Sequence, residues 1–491
     1  MTYIASIDAG TTNVKGALVT QDGSIQASCQ VQIETFFESG FVEQNPEQWQ
    51  EALLEITNTW QQAGIDFKDI EMITFCGQMQ DVIPVDESGV PVRNAILYSD
   101  ARAEEQAERI LTADEEIRTL TGNEMNATIP LAKLKWLQEK EKTSFDRAAV
   151  FLFSSKDFLI YQLTGKRVTD VTTAATTGMM DLKQRTWLVD KIVNEGIAEN
   201  QLPLLGESDK VAGYVGAFAS RQTGFIEGTP VLCGVGDAGA TTMGAGVVSS
   251  GDRYIYAGTT GWIATTTNSV ESGFDGLFHL AHLSQEFIKV IPLTNVGSVH
   301  EWAVQTFCGK HAEKADAYRE LDQLVNAVSP EEKGALFLPY LNSERFPVKV
   351  SQPAGSFLRL GAATTSAQMA RAVLEGIAFS IRQSMETLTT FQEKPITLLG
   401  GGARSMAWTQ ILADVCQQEL HIPEHAENLP ILGAAATAFI RLSWCRTYQE
   451  FVHDIIKSLP KRRVTPDNEK RITYDTLYQG FKRIYPAVKD I

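Results

Sequence analysis

The chain is poor in the residues that build metal clusters and disulfide frameworks. Its six cysteines (Cys29, Cys76, Cys233, Cys308, Cys416 and Cys445) lie far apart, and no CxxC pair occurs. That pattern predicts separate buried thiols in a reducing cytoplasm. Seven histidines show no HExxH spacing. His421 and His425 stand four residues apart, but Pro423 between them disfavours the helix that such a ligand pair needs. No apolar run reaches the length of a membrane span, and residues 1–6 pass straight into a predicted strand without a basic-then-apolar leader. Positive charge is also scarce: 43 Lys and Arg face 60 Asp and Glu, a formal net charge of −17. Such a field repels nucleic-acid phosphates and anionic lipid surfaces, so neither is an expected partner. A GxxxxGK[ST] loop and the protein-kinase signature set are missing too, so any phosphate chemistry must belong to another fold.

What is present fits a globular protein. A length of 491 residues exceeds one compact core and predicts two large domains. Apolar residues make up 44% and charged residues 21%, an ordinary balance for a folded chain. Strands are predicted over 3–8, 14–19 and 25–33, the last two joined by an Asp22-Gly23 turn. Asn45-Pro46 reads as a helix start, an N-cap followed by proline at the first helical position. Short strands at 72–75 and 82–85 then alternate with helices near 102–110, 131–138 and 155–163. After Gly228-Thr229-Pro230 the pattern restarts with a buried strand at 231–233 and a Gly/Ala-rich helix over 237–247. Residues 253–261 then repeat the opening theme, an apolar strand followed by Gly-Thr-Thr. This repeat suggests two related halves, with a boundary near residue 246. Long helices are expected near 369–388, 406–417 and 432–442.

Three segments carry candidate chemistry. In Asp8-Ala9-Gly10-Thr11-Thr12-Asn13-Val14-Lys15 a strand ends on a carboxylate and small hydroxylated residues follow. Gly10 permits a tight turn with exposed N–H groups. Thr11, Thr12 and Asn13 can donate to phosphate oxygens, Lys15 adds positive charge, and Asp8 can hold Mg²⁺ through water. A plain hairpin turn explains the same residues, although the second copy at Gly258-Thr259-Thr260 argues against coincidence. Gly400-Gly401-Gly402 after a predicted strand lets a flat ligand or a phosphate approach the backbone, or simply makes a tight turn. Gly234-Val235-Gly236-Asp237-Ala238-Gly239 matches GxGxxG, yet no acidic residue ends the next strand as a dinucleotide site requires. The residue of interest there is Asp237, either a proton acceptor for a substrate hydroxyl or an ordinary helix cap.

Taken in order, these segments resemble the FGGY carbohydrate kinase family, within the actin-like ATPase superfamily, from residue 4 to about 440. Ile7–Thr12 is similar to its first phosphate loop and Gly258-Thr259-Thr260-Gly261 to its second. Gly77-Gln78-Met79 and Ala95–Arg102 resemble its sugar-site segments, and Lys133-Leu134-Lys135-Trp136-Leu137 resembles part of a family signature. Ser155-Lys156-Asp157 and Thr169-Asp170 follow the next block, and Asp237 stands where the family carries its catalytic aspartate. Gly297-Ser298 with Glu301-Trp302 resembles a nucleotide-site segment, and Gly400–Ser405 the adenosine motif. Two departures stand out. The sugar site reads Gln78-Met79-Gln80-Asp81 where relatives acting on xylulose usually read Gln-Met-His-Gly. Arg359 also stands where the family usually has glycine.

The resemblance implies an α/β fold of two ribonuclease-H-like (actin-like ATPase) domains, 1–246 and 247–491, around a central cleft. It implies a sugar on the first domain, held by Gln78, Met79, Gln80, Asp100 and Arg102, and a nucleotide mainly on the second. Nucleotide contacts are expected from Gly10, Thr11, Thr12, Asn13, Lys15, Gly258, Thr259, Thr260, Gly297, Glu301, Gly401, Gly402, Ala403 and Ser405. ATP is the implied co-substrate, Mg²⁺ the metal near Asp8 and Asp237, and Asp237 the general base. The leading substrate is D-xylulose, giving xylulose 5-phosphate, with gluconate or another sugar acid or polyol as runner-up. Residues of the type of Gln78, Gln80, Asp100 and Arg102 suit a polyol and argue against a sugar-free conformational ATPase. Intact Asp8, Asp237 and both threonine loops argue against a silent sugar-binding regulator. The expected location is cytoplasmic, and a homodimer is compatible with the sequence.

Overall fold

The computed structural model describes residues 1–270, 276–309, 313–330, 335–388 and 394–489. Its first half is built on a seven-stranded sheet. Tyr3–Ala9 pairs antiparallel with Asn13–Val19, which pairs antiparallel with Ile25–Gln32. On its other side Tyr3–Ala9 runs parallel to Ile70–Gly77, and Pro230–Leu232 and Val211–Tyr214 extend the sheet beyond it. The short strand Val235–Gly236 also pairs with Ile70–Gly77. Ile70–Gly77 is buried at every position but one, as expected for a strand covered on both faces. One cover is the helix Pro46–Gln62, which turns Trp49, Leu53, Ile56 and Trp60 inward. Its start is the expected one: Asn45 Oδ1 accepts the Glu47 N–H at 3.1 Å, with proline at the first helical position.

The second half repeats this plan. Arg253–Ala257 pairs antiparallel with Gly261–Thr267, which pairs antiparallel with Phe287–Leu293. On its other side Arg253–Ala257 runs parallel to Ile396–Leu399, followed by Leu420–Pro423 and an antiparallel edge, Lys461–Val464. Three antiparallel strands with a parallel strand on the far side of the first thus occur twice, in the same order. The two Gly-Thr-Thr turns occupy equivalent places, after the first strand of each sheet. Both halves have the ribonuclease-H-like topology of the actin-like fold.

A shared element ties the halves together. The helix Leu429–Arg441, which follows the second sheet's parallel strands, covers the other face of the first half's sheet. It packs Ile431, Leu432 and Phe439 with Ile4, Val19 and Met72. Ser6 Oγ donates to the Ile431 carbonyl (2.8 Å), and the Thr74 and Thr437 hydroxyls meet at 2.8 Å. Its neighbour is the helix Asp237–Gly244, and the two approach through glycine. A Cβ on Gly433 would lie 1.9 Å from the Ala240 carbonyl oxygen, and one on Gly244 would lie 2.2 Å from that of Leu429. The expected helix over 237–247 stops at Gly244, and Gly246 turns the chain with φ +77. Among the described residues no helix is long and apolar enough to cross a membrane.

Candidate active site

The two sheets present their loops to one cleft. A cavity of about 850 Å³ is lined from the first half by Asp8, Gly10, Lys15 and Asp237, and from the second by Tyr256, Gly401 and Arg404 among others. A second cavity of about 650 Å³ shares Tyr256, Gly401 and Arg404 with it and runs on past Gly258, Thr259, Gly297, Glu301, Gly402 and Ser405. The shared residues make the two spaces neighbours. Twelve sequence-predicted positions therefore border one continuous cleft: Asp8, Gly10, Lys15, Asp237, Gly258, Thr259, Gly297, Glu301, Gly401, Gly402, Ala403 and Ser405.

Two carboxylates stand at its centre. Asp8 ends the first strand, opposite Lys15 on the next. Burial pushes its pKa up, while a hydrogen bond from Cys76 and the charge of Lys15 oppose that shift. Asp237 is the first residue of its helix, directly after the strand Val235–Gly236. Burial, and then the nearby negative charge of Asp8, push the Asp237 carboxyl up to about 7. A carboxylate with that affinity for protons is matched to taking one from an alcohol near neutral pH.

The loops around this pair divide their work. Gly10 N–H donates to the Asn13 carbonyl at 3.1 Å and closes the first turn. Thr12 is exposed, whereas the Thr11 hydroxyl points inward and donates to Gln78 Oε1 at 2.8 Å. Gln78 is itself buried, and its Nε2 donates to Gln44 Oε1 at 2.9 Å. Gln44 returns a hydrogen bond to the Thr11 carbonyl (2.7 Å). Gln78 thus braces the first loop from beneath, and Gln44, which sequence reading missed, completes the brace. In the second loop Thr259 and Thr260 are exposed. The helix Gly297–Phe307 starts on this loop, with Gly297 N–H donating to the Gly258 carbonyl (3.0 Å) and Ser298 N–H to that of Thr259 (2.8 Å). A Cβ on Gly297 would sit 2.1 Å from the Gly258 oxygen, so only glycine fits. At the third glycine cluster a Cβ on Gly401 would meet nothing within 4 Å; its absence leaves the wall open. Ser405 caps the helix Met406–Cys416 by accepting from Trp408 N–H (3.1 Å) and donates to Asp322 at 2.5 Å. The Ala403 carbonyl accepts from Arg462 at 2.7 Å.

The predicted sugar-side residues separate into two groups. Met79 packs against Gly236, where a Cβ would lie 2.2 Å from its sulfur, so the turn Gln78–Asp81 runs beside the strand that delivers Asp237. Within that turn Gln78, Met79 and Asp81 are buried and Gln80 is half-buried; none of the four lines either cavity. Asp100 and Arg102 are instead absorbed in a buried ion pair (2.7 Å) that borders neither cavity. Arg102 also bonds Glu43 and lies between the rings of Phe41 and Trp136, 3.8 and 4.8 Å from their centroids.

The GxGxxG match serves packing: Gly234 lies against the Phe75 backbone, Gly236 against Met79 and Gly239 against Val235. Tyr256 and Trp262 were not foreseen as site residues. They are cross-strand partners, stack at 4.1 Å, and line the larger cavity; the pairing of strands 253–257 and 261–267 was the available signal. Arg359 borders neither cavity. It is exposed and has φ +63 at the end of the strand Ser356–Leu358, which explains why glycine suits that position.

A duplicated ribonuclease-H-like fold, with two carboxylates and two Gly-Thr-Thr loops on one interdomain cleft, defines a phosphotransferase of the actin-like class. Comparison with protein families makes the assignment specific: the N-terminal domain of the FGGY family of carbohydrate kinases matches residues 3–244, and its C-terminal domain residues 254–442. The chain belongs to this family and is an ATP-dependent sugar kinase. The xylulose kinase of Bacillus subtilis (strain 168) is 30% identical over 501 residues, covering 100% of this chain and 98% of that one. Among solved structures, xylulose kinase from Rhodospirillum rubrum superposes with a TM-score of 0.88 at 26% identity, covering 99% of this chain and 98% of that one. Gluconate kinase from Lactobacillus acidophilus gives 0.87 at 26% identity, over 99% and 98%.

Proposed function

We propose that this kinase transfers the γ-phosphoryl group of ATP to D-xylulose, and that its two domains meet near residue 246. The observation that carries the reading is end-to-end likeness to xylulose kinases joined to a sugar-side turn that offers a neutral amide, Gln80, beside the acids Asp81 and Asp237. Burial holds Asp81 well above the usual carboxylate range, and Asp237 contributes to that shift. Lys133, the cation that acts on Asp81, is committed to main-chain carbonyls. Two acids beside the amide suit an uncharged ketose better than a sugar acid, whose carboxylate they would repel. Gluconate is the second reading, favoured by the equal likeness to a gluconate kinase.

In the proposed reaction Asp237 accepts the proton of the attacking hydroxyl as its oxygen forms a bond to the γ-phosphorus. The bond to the β–γ bridging oxygen breaks, and ADP leaves. Main-chain N–H groups of the two Gly-Thr-Thr loops steady the transferring group, with Lys15 adding positive charge. The cavity along Gly297, Glu301 and Gly401–Ser405 takes the nucleoside. Little covalent work falls to the protein, so positioning and charge stabilisation dominate. Asp8 and Asp237 are hard oxygen donors, a donor set suited to Mg²⁺, and burial and then the charge of Asp8 lift Asp237. Mg²⁺ bound there would neutralise charge on the phosphates. We place the reaction in the cytoplasm, where six free thiols are stable.

A competition experiment tests the substrate. With D-xylulose and D-gluconate supplied together with ATP and Mg²⁺, mass spectrometry of the products is expected to find chiefly phosphorylated pentulose. Predominant phosphogluconate would reverse the order of the two readings.

A further inference from the structure

The helix Pro130–Lys140 carries a lysine that the reaction above does not use. Lys133 is fully buried, and its Nζ donates to the carbonyls of Gln80 (3.0 Å) and Leu97 (2.6 Å). These carbonyls belong to two different segments, Gln78–Asp81 and Ala95–Arg102, which the family resemblance assigns to the sugar. The segments are joined by main-chain hydrogen bonds at Val82 and Ile96, in both directions. Beside that pair, side chains also link the two segments: Lys133 bonds both carbonyls, and Asp81 Oδ1 accepts the Tyr98 N–H at 3.2 Å. Asp81, Asp100 and Arg102 are the charged groups that act on Lys133.

The position being held is a strained one. Gln80 has φ +65, in the left-handed region that a residue with a side chain rarely adopts. It is also the one residue of its turn that is not fully buried. Leaving an ammonium without water is costly, and carbonyl oxygens repay that cost only if they are held in place. Each partner therefore fixes the other. Whether Lys133 is an ammonium or a neutral amine, it has enough hydrogens for two carbonyls, so the clamp does not depend on its titration.

We propose that Lys133 is a positioning residue for sugar specificity: it clamps the Gln80 and Leu97 carbonyls and so fixes where the Gln80 amide meets the substrate. The proposal rests on the reading that Gln80 faces the sugar. A buried methionine in place of Lys133 would fill similar volume without donors, free the turn to leave its left-handed conformation, and misplace the amide by enough to weaken sugar binding.

A double-mutant cycle separates the clamp from its foundation. The variants are Gln80→Ala, Lys133→Met and the pair, each assayed for the KM of D-xylulose, the KM of ATP and kcat. Gln80→Ala is expected to raise the sugar KM about tenfold, the order of one lost hydrogen bond. Lys133→Met is expected to raise it about ten- to a hundredfold while the ATP KM stays within about twofold. In the Gln80→Ala background Lys133→Met should add less than about threefold, because the amide it positions is gone. If Gln80→Ala leaves the KM of every sugar unchanged, the reading beneath the proposal fails. If Gln80→Ala raises it but Lys133→Met does not, or the two effects multiply fully, the clamp fails while the reading stands. Should Lys133→Met alone not fold, the comparison moves to Gln80→Gly, which adopts the left-handed conformation without strain. Recovery of folding in the Gln80→Gly/Lys133→Met double variant supports the clamp, and failure to recover overturns it in favour of general core packing.

Discussion

At the residue scale, the chemistry turns on one carboxyl group. Burial, and then the negative charge of Asp8, resist the ionisation of Asp237 and bring it to about 7. A general base must be ionised, so kcat/KM for the sugar should rise through an acid limb near that value. Asp8→Asn removes the neighbouring charge and should move the limb to lower pH; a limb that stays in place would disconnect the two groups. The stability consequence has the opposite sense. In the unfolded chain Asp237 ionises near its ordinary value of 3.8, so the folded state binds the extra proton between that pH and about 7. Its contribution is fully present below the unfolded value and is lost as pH rises through the folded one. Metal-free Asp237→Asn should therefore melt above the wild type at pH 8, where the wild type carries an uncompensated charge. The same substitution should lower kcat by about 10²–10⁴-fold, the usual worth of a general base. Gain of stability with loss of turnover is the signature of a strained functional group.

At the element scale, the helix Asp237–Gly244 holds its place through backbone contact with the helix Leu429–Arg441. Gly433→Ala would drive a methyl group into the Ala240 carbonyl, 1.9 Å away. Forced separation of the helices is expected to cost about 1–3 kcal/mol, read from urea unfolding. Arg359→Gly should act the other way. It releases a left-handed arginine that costs roughly 1–2 kcal/mol, partly offset by the entropy of glycine, so a net gain of about 1 kcal/mol or less is expected with unchanged kinetics. The strands and long helices were legible in the sequence because apolar runs there are bounded by turn and cap residues such as Asp22-Gly23 and Asn45-Pro46. The two Gly-Thr-Thr turns were legible for the same reason, although the inward turn of the Thr11 hydroxyl onto Gln78 was not. The sugar side was harder to read. Asp100 and Arg102 looked like polar groups for a polyol, but Phe41 and Trp136, from two other segments, close over the pair. Gln44 and Lys133 act on residues 33 to 53 positions away, and no local pattern announces such contacts.

At the scale of the whole molecule, the cleft is a junction of two copies of one topology. The strand Tyr3–Ala9 brings Asp8 from one copy, the strand Arg253–Ala257 brings the second loop from the other, and the Leu429–Arg441 helix crosses between them. In the proposed reaction phosphoryl transfer needs both walls, because the hydroxyl and its base are assigned to the first and the nucleoside to the second. In that reaction, closure of the cleft over both substrates would exclude water and tie ATP turnover to the presence of sugar. The most direct test of the central claim is ADP release measured over a panel of ketoses, aldonates and polyols, with wild type and Asp237→Asn side by side. The account predicts sugar-dependent release, greatest with D-xylulose, matched mole for mole by phosphorylated sugar and nearly abolished in Asp237→Asn. Sugar-independent ADP release, or Asp237→Asn turning over D-xylulose at the wild-type rate, would contradict it.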